Sequence, residues 1–288
     1  MVLRNTGGKV LDTDSCFIMG SPESEIGHPS GTPVERMVEV TLTHSFLIGQ
    51  HEITQDQWTG EGLPNLSTAY PGDRGDCIAP DCPAGGVSWF AALAFANLLS
   101  ERHEPPLKPC YELKQCTGTL GNKLRCAEAH ITAPTIYECE GFRLPTEAEW
   151  EYATRAGTRT AYYAGDITPY EGKCGPQPAL EDTAWYCNNS NGHTHPVMQK
   201  KPNGWGLHDT LGNAYEWVND DRRERLREYE GEQVVDPGDQ LDAVGILRVW
   251  RGGLYGSLPE WNRSSSQTSG LWDEETATVS FRIARTIR

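Results

Sequence analysis

The chain has 288 residues with 40 acidic side chains against 25 Lys and Arg, which gives a formal net charge of −15. Nucleic acid and anionic membranes are therefore not expected as partners, because phosphate binding requires clustered Lys and Arg. The basic cluster at residues 222–228 is interleaved with Glu and is predicted to be a solvated helical turn or loop. No run of 18 apolar residues occurs, so no membrane span is predicted.

Short elements are expected throughout, because 30 Gly and 19 Pro favour turns over a helical bundle. Residues 37–54 alternate apolar and polar side chains, which predicts two short strands or one bent strand. Thr54 is placed to cap a following helix. Residues 88–103 have apolar side chains at helical spacing and begin at Ser88, a favourable capping residue.

A further helix is predicted over residues 144–157, where Thr146 and Glu149 form a capping box and Gly157 supplies the left-handed C-terminal residue. After it the helical pattern fades, and strand-like segments alternate with long loops. These segments are residues 195–199, 215–220, 247–253 and 279–285.

Eight of the nine cysteines lie in Gly- and Pro-rich loop sequence. Paired cysteines in exposed loops are typical of disulfides formed in an oxidising compartment, which predicts a secreted or periplasmic protein. Two alternatives stay open. The first is a zinc site, which the spacing of these cysteines disfavours. The second is a cytosolic protein in which the thiols are reduced. The first 15 residues have no apolar segment of the signal-peptide type.

The expected disulfide pairs are Cys77–Cys82 and Cys174–Cys187. The remaining four loop cysteines lie within a Cys-rich insert at about residues 105–140 and are expected to pair among themselves: Cys110, Cys116, Cys126 and Cys139. The ninth, Cys16, lies in an apolar segment and is predicted to be buried and free.

Several longer phrases occur in a characteristic order. They are FIMGS (17–21), HEITQDQW (51–58), GFRLPTEAEWEYATRAG (141–157), KPNGWGLHDTLGNAYEWVND (201–220), RVWRGG (248–253) and SFRIAR (280–285). Together they resemble the formylglycine-generating enzyme family, also called the sulfatase-modifying factor domain, from about residue 14 to residue 288. The resemblance implies one α+β domain with an irregular C-type-lectin-like fold and little regular secondary structure. A monomer is expected.

The resemblance implies several unlike functions. Some family members bind copper through two cysteines and oxidise a substrate cysteine to formylglycine. Others are fused to an iron-binding helical domain, which this sequence does not contain, and form carbon–sulfur bonds. Still others bind ligands without catalysis, including the variable proteins of diversity-generating retroelements. Fold alone does not choose among these functions.

The strand that carries the copper cysteines decides between catalysis and binding. In the catalytic members it resembles R-G-G-S-x-x-C-x4-C, which places Leu254 at the serine, Ser257 at the first cysteine and Asn262 at the second. Copper(I) requires soft thiolate ligands, which a hydroxyl and an amide do not replace. Neither copper nor iron is therefore expected. His193 and His195 are expected to be solvated rather than to hold a metal.

The same segment has the composition of a recognition surface, because aromatic rings are interspersed with hydrogen-bonding side chains. One Trp is expected to lie in the core. The candidate ligand-binding residues are Tyr255, Ser257, Trp261, Asn262, Arg263 and Trp272. The sequence thus predicts a non-catalytic module that binds an unknown protein or small molecule. The alternatives are an oxidoreductase that modifies a cysteine-containing peptide or thiol, and a retroelement variable protein.

A structural calcium site is also implied by the resemblance. Family members bind calcium through side chains at the positions of Asp209 and Glu216, and through carbonyls at those of Gly212 and Ala214. A hard cation prefers such a set of oxygen ligands. A second family site would fall near residues 185–189, where the match is too loose to assign ligands.

Overall fold

The structure is a computed structural model that describes residues 9–11, 15–29, 35–69, 77–222, 233–238, 241 and 246–287. The α-helices of this part are α1 (Gln55–Gly60), α2 (Trp89–Glu101), α3 (Glu147–Arg155) and α4 (Pro178–Glu181). The strands are β1 (Lys9–Leu11), β2 (Ser15–Met19), β3 (Val38–Leu42), β4 (Phe46–Ile48), β5 (Tyr111–Lys114), β6 (Thr117–Thr119), β7 (Asn122–Arg125), β8 (Glu128–Ile131), β9 (Tyr215–Asp221), β10 (Val234–Val235), β11 (Leu247–Arg251), β12 (Gln267–Leu271), β13 (Val279–Phe281) and β14 (Ala284–Thr286). The basic cluster predicted at residues 222–228 lies outside the described residues, apart from its first residue.

The three predicted helices are confirmed, and each begins at the predicted cap. The side chain of Thr54 accepts a hydrogen bond from the Gln57 amide, and that of Ser88 accepts one from Ala91. The predicted capping box at α3 is present. Gly157 has φ 88° after α3, which is the left-handed conformation predicted for it.

Several small sheets share the strands. In the four-stranded sheet the order is β12-β11-β9-β13, with β9 parallel to β13 and antiparallel to β11. The sheets β10-β3-β2 and β1-β4-β14 have three strands each. The segment predicted as one strand over residues 279–285 is two strands that belong to different sheets.

The strand predicted over residues 195–199 is wrong. Met198 has a left-handed φ of 65°, and its amide donates to the Asp209 carboxylate at 2.7 Å. The amide of Val197 donates instead to the Asp81 carbonyl, in a separate loop. This segment is therefore a loop whose amides bind to loops rather than to a strand.

Both predicted disulfide pairs are confirmed, and the four insert cysteines pair among themselves as expected. Cys77 bonds to Cys82 and Cys174 to Cys187, while the insert cysteines form the pairs Cys110–Cys139 and Cys116–Cys126. The insert itself contains two antiparallel strand pairs, β5 with β8 and β6 with β7.

Cys16 is free, as predicted, but it is exposed rather than buried. It lies in β2, where successive side chains point to opposite faces. Phe17 and Met19 pack against the core, so Cys16 points to the opposite, outward face. Its Sγ lies 3.0 Å from the Thr41 hydroxyl on β3.

The main core lies between α2 and the four-stranded sheet. Trp58 stacks on Phe95 with ring centroids 5.0 Å apart, and Phe281 of β13 meets Phe95 edge-on. The buried indoles of Trp89 and Trp217 donate to the carbonyls of Val218 and Val87 respectively, so their polar atoms are satisfied. Within the described residues, no helix has the length and apolar character needed to cross a membrane.

Candidate functional site

The candidate site begins at the turn that follows β11. Gly252 and Gly253 have φ angles of 95° and 75°, which side-chain-bearing residues rarely adopt. A Cβ atom at Gly253 would lie 2.5 Å from Oδ1 of Asn262. The two glycines therefore allow the chain to fold back tightly, so that residues 254–263 pack against the turn.

Ser257 lies inside this folded segment. Its hydroxyl accepts a hydrogen bond from the Leu254 amide at 3.0 Å, and its own amide donates to the Leu254 carbonyl at 2.9 Å. Its carbonyl accepts from the Cys187 amide. The side chain is buried and also hydrogen-bonds to Tyr215, a contact that partly offsets the rise that burial causes in the Tyr215 pKa. Ser257 therefore holds the turn together from within.

Asn262 and Arg263 are also internal. Asn262 donates from Nδ2 to the Leu258 carbonyl at 2.8 Å, while its Oδ1 has no partner among the described residues. Arg263 binds the carboxylates of Glu35 at 2.6 Å and Glu25 at 2.8 Å. Both side chains are buried, so they lie beneath the predicted ligand surface rather than on it. The two carboxylates supply the counter-charge that a buried guanidinium requires.

Trp261 is the aromatic side chain that this segment exposes most. It lies on a 3₁₀ turn, Pro259–Asn262, with 48% of its surface exposed. Trp272 instead packs on Phe90 with centroids 5.3 Å apart, so it is the Trp that belongs to the core. A rigid turn therefore presents one large ring to solvent.

Tyr255 is half-buried at the edge of the same surface. Its amide donates to the Asn213 carbonyl at 2.9 Å, and its carbonyl accepts from the Ser190 hydroxyl at 2.8 Å. Ser190 also binds His195, since the imidazole Nε2 lies 2.8 Å from the Ser190 carbonyl oxygen. Residues 190–195 and 254–257 therefore form one continuous patch.

His195 is part of a stack of rings at this patch. It lies parallel to Trp185 with centroids 3.7 Å apart, and His193 lies 4.3 Å from it. Trp185 also makes a cation–π contact with Lys200, whose Nζ lies 4.1 Å from the ring centroid. Burial lowers the pKa of His195, and the neighbouring His193 and Lys200 lower it further.

The residues of the implied calcium site form a separate, buried cluster. Glu216 is bound by Arg282, whose Nε and Nη2 each lie 2.6 Å from a carboxylate oxygen. The Trp150 indole donates to the same carboxylate at 2.8 Å. Arg282 therefore already supplies the counter-charge of Glu216. Among the described residues, no group of three or more His, Cys, Asp or Glu has an arrangement suited to a metal ion.

Asp209 and the carbonyl ligands complete the implied set. Asp209 accepts from the Met198 amide through Oδ2, and burial raises its pKa to about 6. Gly212 donates its amide to the Gly252 carbonyl, and Ala214 is buried just before β9. The implied ligands thus lie close together in the fold, and Glu216 is already bound by Arg282.

Sequence reasoning missed Glu52 as a member of this cluster. It is fully buried after β4, and its Oε1 accepts from the Asn213 amide group at 3.1 Å. Burial raises its pKa well above the usual range, and the nearby Asp209 raises it further. The available signal was its place in HEIT, a Glu directly before an apolar residue at the start of a recognisable phrase.

The fold and this arrangement define a class: a mixed α/β domain with few helices, small curled sheets and four disulfides. The chain belongs to the family of the sulfatase-modifying factor enzyme 1-like domain, whose profile matches residues 7–287. The resemblance inferred from the sequence phrases, and the fold of the formylglycine-generating-enzyme type that it implied, are confirmed.

Two curated relatives and one solved structure illustrate the range of the family. Chaperone protein LppX of Paenibacillus barcinonensis is 33% identical over 186 residues, which cover 62% of each protein. The formylglycine-generating enzyme of Streptomyces coelicolor is 35% identical over 161 residues, or 50% of this chain and 46% of the enzyme. The chain thus spans less than two thirds of either relative. Treponema denticola variable protein 1 superimposes with a TM-score of 0.69 at 27% identity, over 97% of this chain and 99% of that one.

Proposed function

We propose that this protein is a non-catalytic binding module that recognises a protein partner through a surface centred on Trp261. The observation that carries the proposal is the contrast within one turn. Trp261 is about half exposed, while its neighbours Asn262 and Arg263 are buried in internal bonds. A large ring held rigidly at the surface loses little conformational entropy on binding, which is the property of interface hot spots.

The patch around Trp261 offers more than one ring. Tyr255 lies in the same folded segment and is half-buried. Hydrogen-bonding groups of residues 190–195 adjoin Tyr255. Apolar area with adjacent polar groups is the make-up of a protein interface. The name of the LppX relative, a chaperone protein, also favours a protein partner.

The positions that resemble the copper cysteines support a role without catalysis. Ser257 and Asn262 provide no thiolate, and both side chains take part in the hydrogen bonds that shape the turn. The segment therefore serves as a support for Trp261 in this proposal.

The test against an oxidoreductase is copper-dependent oxygen uptake with a cysteine-containing peptide. It should be run in a Cys16→Ser background, because the exposed Cys16 thiol would itself bind copper(I). We expect neither stoichiometric copper(I) binding nor oxygen uptake. The double variant Ser257→Cys/Asn262→Cys is the matched control and should gain copper(I) binding. Tight binding of one equivalent by the Cys16→Ser protein, with turnover of the peptide, would refute the proposal.

A second candidate is a retroelement variable protein. The full-length superposition on Treponema denticola variable protein 1 favours it. It predicts that the chromosomal region encodes a reverse transcriptase and a template repeat that matches the codons for residues 254–272. A region without either would eliminate this candidate while leaving the binding proposal in place.

We also propose an extracytoplasmic location, secreted or periplasmic, which the four disulfides support. Non-reducing peptide mapping of protein isolated from the producing cells should recover all four pairs. Recovery of the eight cysteines as free thiols would overturn the assignment.

A further inference from the structure

A cavity of about 380 Å³ lies where β2 ends and β3 begins, beside the C-terminal end of α3. None of the residues that line it belongs to the 3₁₀ turn of Trp261. Pockets for small ligands enclose about 300–1,000 Å³, so this cavity has the size for a small molecule.

Backbone contacts hold the two sides of the cavity together. Ile18 of β2 pairs with Glu39 of β3 in the antiparallel ladder. Directly after β2, the Gly20 amide donates to Glu151 of α3 at 2.7 Å, and the Gly20 carbonyl accepts from Arg155 at 2.7 Å. The strand end is thus fastened to the helix, and a preformed cavity requires little ordering when a ligand binds.

One part of the cavity is apolar. It is lined by Ile18, Pro22, Met37 and Val38. Met37 is 51% exposed, and Pro22 is exposed as well, so this wall is open to solvent. A hydrocarbon group placed here would remove apolar surface of both the ligand and the protein from water, which favours binding.

The charged lining residues differ in their partners. Arg155 is bound to Glu151 and to two backbone carbonyls. Glu39 accepts a hydrogen bond from Gln233 at 3.2 Å. Arg159 is exposed and makes no hydrogen bond or ion pair with the described residues. Its planar guanidinium is therefore available for a carboxylate, which it can bind through two parallel hydrogen bonds.

We propose that this cavity binds a small amphipathic carboxylate, whose anionic group pairs with Arg159 and whose hydrocarbon body lies on the apolar wall. Glu39 sets the orientation, because its negative charge repels the carboxylate toward Arg159. The inference concerns a site other than the Trp261 surface and does not depend on the proposed binding function.

The experiment is isothermal titration calorimetry at pH 7 with three ligands of equal chain length: octanoate, n-octanol and octylamine. Wild type should bind one equivalent of octanoate, more weakly n-octanol, and octylamine least. In the series from butanoate to octanoate, each added methylene should tighten binding about fourfold until the wall is covered.

Substitutions of exposed lining residues separate the contribution of charge from that of apolar contact. Arg159→Gln should weaken octanoate binding about tenfold or more and leave n-octanol binding unchanged, because only the charge-assisted hydrogen bonds are lost. Met37→Ser should weaken the binding of both ligands. Arg125→Gln, at an exposed arginine outside the cavity, is the matched control and should behave as wild type. Thermal unfolding checks that each variant is folded.

Three results would overturn the proposal. The first is no octanoate binding by wild type at millimolar concentrations. The second is an equal affinity for octanoate in wild type and Arg159→Gln, which would place the ligand elsewhere. The third is tighter binding of octylamine than of octanoate, with loss of that binding in Glu39→Gln, which would show a site for cations instead.

Discussion

Two parts of the molecule both bury polar residues, but the buried groups have different roles. In the scaffold, Arg251 is fully buried and binds both Glu147 and Glu151 of α3. On the Trp261 turn, polar groups are also internal, but they serve to hold an apolar ring outside. Charged residues that would be expected at the surface from the sequence are therefore buried and structural, whereas the large side chain that the turn exposes is the aromatic Trp261.

The two parts depend on different contacts. The long sequence phrases supply the buried ion pairs and therefore specify the fold. The turn after β11 is shaped by two glycines and its own hydrogen bonds, so its exposed position can vary with little effect on the core. Stability and recognition should consequently respond to different substitutions.

The largest effect on stability is expected from Arg251→Met. This change removes the charge that Arg251 supplies to the buried carboxylates of Glu147 and Glu151, although Arg155 still binds Glu151. It also removes the donors to the Ser264 and Ser265 carbonyls. Breaking a buried pair from one side costs about 3–5 kcal/mol. Urea denaturation measures this cost.

The control for Arg251→Met is Lys201→Met, which breaks the exposed pair with Asp182. Surface pairs contribute about 0–1 kcal/mol. Similar losses in the two variants would show that the buried network does not hold the scaffold.

The disulfides should rank by the length of chain that they close. Cys110 and Cys139 are separated by 29 residues and Cys77 and Cys82 by 5. Replacing the first pair by Ala should cost about 3–4 kcal/mol and the second about 2 kcal/mol, because the longer loop gains more entropy on unfolding. Chemical denaturation of the two double variants gives the comparison. The reverse order would show that native packing, rather than chain entropy, dominates.

Replacing each of two tryptophans of one segment should show that one stabilises the fold and the other does not. Trp272→Ala removes a ring that packs on Phe90 and should cost about 2–3 kcal/mol. Trp261→Ala removes an exposed ring and should change the free energy of unfolding by about 0.5 kcal/mol or less. Thermal unfolding distinguishes them. A large loss of stability in Trp261→Ala would place this ring in the core.

The smallest effect is expected from His195. Its pKa is lowered in the folded protein, first by burial, so the unfolded chain binds more protons below pH 6.5. Wild type should therefore lose stability relative to His195→Gln as the pH falls from 7 to 5. Denaturation of both proteins at the two pH values measures the difference, and a difference that does not vary with pH would contradict the assignment.

Much of the fold could be predicted from local patterns. The caps at Thr54, Ser88 and Thr146 mark the helices because their signals are contained within a few residues. The pairs Cys77–Cys82 and Cys174–Cys187 were predicted from their loop positions, whereas the pairing within the insert was left open. The predicted strand at residues 195–199 failed because its amides bind distant loops, which no local pattern records.

The site was less predictable for a similar reason. The sequence places Asn262 and Arg263 beside Trp261 but does not show that their partners, such as Glu35, lie more than 200 residues away. Likewise, Arg282 and Glu52 lie far from Asp209 and Glu216 in the chain, so neither the pairing of Glu216 nor the presence of Glu52 in the same cluster could be foreseen. Long-range contacts of buried charges decide both cases.

The central claim is that Trp261 marks the recognition surface, and site-specific photo-crosslinking in the producing cells tests it most directly. A photo-crosslinking amino acid would replace Trp261 in one variant and Ile78, another exposed apolar residue, in the control. We predict one discrete protein adduct from position 261 that is absent from position 78, with unchanged thermal unfolding of both variants. No adduct from position 261, or the same adducts from both positions, would contradict the account.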